Sequence, residues 1–93
     1  MKSSEILREA ARIADEDVFD GREWRCGCGA IAEAVSYGAD RDRALAFFRL
    51  CAPDGVSNVK YWFGEMHLWL LGAKAHRVTA LCLAAAIAES EGD

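Results

Sequence analysis

Proline is nearly missing from this chain: Pro53 is the single one in 93 residues. With 53% hydrophobic and 28% charged residues beside it, that excludes a collagenous repeat, a low-complexity linker or a disordered tail as its bulk. Long apolar runs are missing too. The longest charge-free stretch, Val78 to Ala88, falls well short of the roughly 20 residues of a membrane span. Met1-Lys2-Ser3-Ser4-Glu5 leads straight into a charged amphipathic segment, without the apolar core of a secretory leader. A soluble, cytoplasmic protein is expected. Basic residues are in the minority, with eleven Lys+Arg against fifteen Asp+Glu and a net charge of −4. That sign is wrong for a general nucleic-acid coat protein, so direct nucleic-acid binding is not expected. The length fits one domain, residues 1–93.

What is present reads as helix. Ile6, Leu7, Ala10, Ile13 and Ala14 recur with a 3.6-residue period, opposite Glu5, Arg8, Glu9, Arg12 and Glu16. Ser3 or Ser4 offers the N-terminal cap, and the acids Asp15-Glu16-Asp17 oppose the helix dipole, so this helix is expected to end near Asp15. A second helix is predicted from about Arg25 to Tyr37, with Cys28, Ile31, Ala32 and Val35 facing inward and Gly38 as its C-terminal cap. Gly27 and Gly29 weaken its first turn, which a close backbone approach would justify. A third helix, capped by Asp40, runs to Cys51 and stops before Pro53.

The last third is dense in large apolar groups: Tyr61, Trp62, Phe63, Met66, Leu68, Trp69, Leu70 and Leu71. Gly64 and Gly72 are expected to interrupt it. A final helix is predicted from about Lys74 to Glu89, burying Val78, Leu81, Cys82, Ala85 and Ala88. No strand pair and no repeat is evident. The expected fold is all-α, a compact single-domain bundle of four to five short helices.

Four cysteines, Cys26, Cys28, Cys51 and Cys82, are expected to be reduced in such a compartment. Cys26-Gly27-Cys28-Gly29 places two thiols one residue apart, a spacing that could hold a soft metal with His67, His76, Cys51 or Cys82. Zinc sites ordinarily separate their cysteines by two to four residues and supply a second pair, which this chain lacks. Buried structural thiols are therefore the expectation, with a metal-stabilised regulatory or nucleic-acid-binding module using Cys26 and Cys28 as the alternative. No cofactor is expected. Glu65-Met66-His67 lacks the second histidine of a helical zinc-hydrolase motif, no phosphate loop occurs, and no cysteine stands in a nucleophile motif. The reading is a protein that is not an enzyme, with His76, beside Arg77, as a solvated residue at a helix start.

Two features point to binding. Asp15, Glu16, Asp17 and Asp20 concentrate acid in the first segment and could dock on a basic surface. Tyr61, Phe63 and Leu68 spill around a helix already carrying Trp62 and Trp69, and are the candidates for an exposed patch. These seven residues are the expected partner-binding set. A homodimer burying the 61–71 patch across a two-fold axis is a further possibility.

The segments Ile6-Leu7-Arg8-Glu9-Ala10-Ala11, Trp24-Arg25-Cys26 with Gly29-Ala30-Ile31 and Ala34, and Trp62 followed by Arg77-Val78 and Ala80-Leu81 form a pattern over most of the chain. It resembles small helical proteins of unknown function from actinobacteria and their phages. The chain departs from that pattern by an extra residue between Trp24 and Cys26 and by the apolar run after Trp62. The resemblance implies a helical fold and a phage-type origin. Size and acidity then suggest an accessory protein that occludes a host protein complex, an anti-CRISPR protein among the candidates.

Overall fold

The computed structural model describes residues 1–16, 27–51 and 67–93, with residues 28 and 67–76 described by their backbone. Four helices occur among them: α1 (Ser3–Glu16), α2 (Gly27–Ala34), α3 (Ala39–Cys51) and α4 (His67–Ser90). No strand occurs among the described residues, and the all-α expectation holds.

α1 buries Ile6, Leu7, Ala10, Ala11 and Ala14 and turns Glu5, Arg8 and Arg12 to solvent, as its periodicity predicts, while Ile13 is half-buried. It packs most extensively on α4 and next on α2. The two long helices are antiparallel, since Ser4 meets Asp93, Arg8 meets Glu89 and Ala14 meets Arg77. Small residues line the seam: Ala10 and Ala14 on one side, Ala84, Ala85 and Ala88 on the other, with Leu81 among them. Alanine favours helix and lets two backbones approach closely. Ala30 and Ile31 of α2 and Ala44 and Phe48 of α3 complete the core.

Gly27 is buried at the start of α2, and a Cβ there would lie 2.1 Å from Cζ of Phe48. Glycine is needed because an aromatic ring, not the expected neighbouring backbone, fills the space.

Several expected boundaries and caps are corrected. α4 runs unbroken through Gly72 for 24 residues, about 36 Å at 1.5 Å per residue. Glycine in a helix costs only about 1 kcal/mol relative to alanine, which a long alanine- and leucine-rich helix absorbs. His76 and Arg77 therefore lie inside α4 and not at a helix start. α2 ends at Ala34 and not Tyr37. Arg41 caps it, donating from Nε to the carbonyl of Val35 at 3.1 Å and from Nη2 to that of Ala32 at 2.8 Å. Gly38, at φ 148°, instead opens α3, where the amide of Asp42 donates to its carbonyl. Asp40 is inside the first turn of α3. Ala32, expected inside, is exposed. Cys82 is exposed as well, because the buried face of α4 is set by Arg77, Leu81, Ala84, Ala85 and Ala88.

Candidate interaction surface

Each end of α1 carries a different electrostatic arrangement. At its N-terminus the cap is supplied by the far end of the sequence. Gly92, at φ 83°, turns the chain out of α4, with the amide of Asp93 donating to Ala88 and that of Gly92 to Glu89. This reversal is the glycine-ended helix stop in which the two residues after the helix bond back into its last turn. It delivers Asp93 to α1, where Oδ1 accepts from the amide of Ser3 at 3.0 Å and Oδ2 from its hydroxyl at 2.7 Å. The amide of Ser4 donates to the main-chain oxygen of Asp93 at 2.9 Å. Ser3 and Ser4 thus do not cap α1 with their own side chains; a carboxylate does, at the end where the dipole favours it. Arg43 bridges Asp93 and Asp40, and Asp40 also takes the α-amino group of Met1 at 3.1 Å.

The carboxyls of this clasp are held below their ordinary range. For Asp93 the main cause is the Ser3 amide, followed by the Ser3 hydroxyl. For Asp40 it is the hydrogen bond from the Met1 amine, followed by Arg43.

The C-terminus of α1 is the reverse. Asp15 and Glu16 are both exposed, and the last turn holds no basic residue. Arg12 spans Glu9 and Glu16, with Nη1 at 2.8 Å from Glu16 Oε2. The paired Arg12 holds the Glu9 carboxyl below its usual value. Among the described residues Asp15 makes no ion pair. Below this turn Arg77 is fully buried and donates from Nη2 to the carbonyl of Ala14 at 3.2 Å. A buried guanidinium therefore supports one of the carbonyls that the helix end leaves over.

Of the expected binding residues, Asp15 and Glu16 share this exposed turn. Asp17, Asp20, Tyr61 and Phe63 lie outside the described residues. Leu68 is placed on the first turn of α4 by its backbone, and its side chain lies outside the description. Cys26 lies outside as well, and Cys28 is placed on α2 by its backbone. Cys51 is half-buried, and burial raises its thiol pKa. Among the described residues no group of three or more His, Cys, Asp or Glu could hold a metal, and no helix is long and apolar enough to cross a membrane.

Two surface features escape the sequence reading. Tyr37 is 92% exposed, with the guanidinium carbon of Arg41 4.0 Å from its ring centroid. The outer face of α4 presents Thr79, Cys82, Leu83, Ala86, Ile87 and Ser90 to solvent, with Leu83 54% and Ile87 37% exposed. The absence of charge from Val78 to Ala88 was the available signal; read as core, that stretch proves to be apolar on both sides of the helix.

Comparison with known proteins adds no relative: no family model, curated protein or solved structure matches the chain.

Proposed function

We propose that this chain is a non-enzymatic binding protein that occludes a basic surface on a host protein complex, in the manner of a phage-encoded inhibitor. The observation that carries the reading is the exposed pair Asp15 and Glu16 on the C-terminal turn of α1. Helix carbonyls already make that end negative; Arg12 offsets Glu16, but Asp15 works against the stability of the helix. A local choice that opposes folding is where function is to be sought. Its electrostatic value lies outside the molecule, where it raises the encounter rate with a positively charged partner. In this reading Asp17 and Asp20 extend the acidic surface, and Tyr61, Phe63 and Leu68 supply short-range affinity.

The test is capture of a partner from host lysate by the wild type and by a chain carrying Asp15→Lys and Glu16→Lys. The expected outcome is a specific complex that salt weakens and the double variant fails to recover. Recovery that is indifferent to both salt and charge reversal would refute the reading.

A further inference from the structure

We draw no further inference here: the strongest candidate, the exposed Tyr37 ring stacked against Arg41 at the corner between α2 and α3, is a single aromatic group at a turn, and nothing in the structure shows what covers it.

Discussion

The two ends of α1 solve the same problem in opposite ways. At the N-terminus, unsatisfied amides and positive dipole meet a carboxylate, Asp93, which is itself held by Ser3 and Arg43. At the C-terminus, unsatisfied carbonyls and negative dipole meet two exposed carboxylates, and the described support is the hydrogen bond from buried Arg77 to Ala14. One end is arranged for stability and uses charge as helix electrostatics favours. The other gives up surface complementarity and recovers support from beneath. The contrast teaches that an acid at a helix end can be understood only once it is known which end it occupies and what faces it.

The largest break in this contrast is Arg77→Ala. It removes the described donor to Ala14 and leaves a void where a large, fully buried side chain stood. A loss of about 3 kcal/mol is expected, read as a lower urea midpoint at unchanged slope. Next comes Asp93→Asn at the opposite end, which weakens the clasp and lowers the thermal midpoint by less than Arg77→Ala does. Its pH signature is more telling than its size. Because the folded carboxyls of Asp93 and Asp40 are depressed, their contribution is fully present above the unfolded carboxylate value of about 4. It is lost as pH falls through the lower folded values. The wild type should therefore lose stability below about pH 4 more steeply than Asp93→Asn does in parallel acid titrations of unfolding. The smallest effect on stability should be Asp15→Lys. Placing a cation at the C-terminal turn of α1 should stabilise the fold by about 0.5 kcal/mol in the same denaturation assay. A loss of stability on this change would erase the contrast between the two ends.

How far the sequence reveals this can be followed residue by residue. The α1 stripe was legible because polar and apolar residues alternate around that helix with a clear period, and Ile6, Leu7, Ala10 and Ala14 are buried as expected. The extent of α3 was legible because Pro53 sets a limit just beyond Cys51, although Asp40 lies within its first turn. The rotation of α4 was not. Nearly every position from Val78 to Ala88 is apolar, so periodicity cannot choose between Cys82, which is exposed, and Ala84, which is buried. The burial of Arg77 was not legible, because a charged side chain is normally solvated and this one bonds a carbonyl 63 residues away. The Asp93 cap has no local sequence pattern at all, since its partner Ser3 lies 90 residues earlier. The turn that delivers it did leave a signal: Gly92, just past the last helical residues, marks a helix stop. Of the expected binding set, Asp15 and Glu16 are exposed on the last described turn of α1, near where the unfavourable dipole led the helix to be expected to end.

The clasp also has a consequence for the order in which the chain acquires its shape. α1 precedes its three partners in the sequence, yet it packs most extensively on α4, the last of them, and its first turn is capped by Asp93. A 14-residue helix standing alone is marginal in water. Packing on α2 and α3 covers part of α1, but its cap and its most extensive contact come only with the last described helix, a closure that spans nearly the whole sequence.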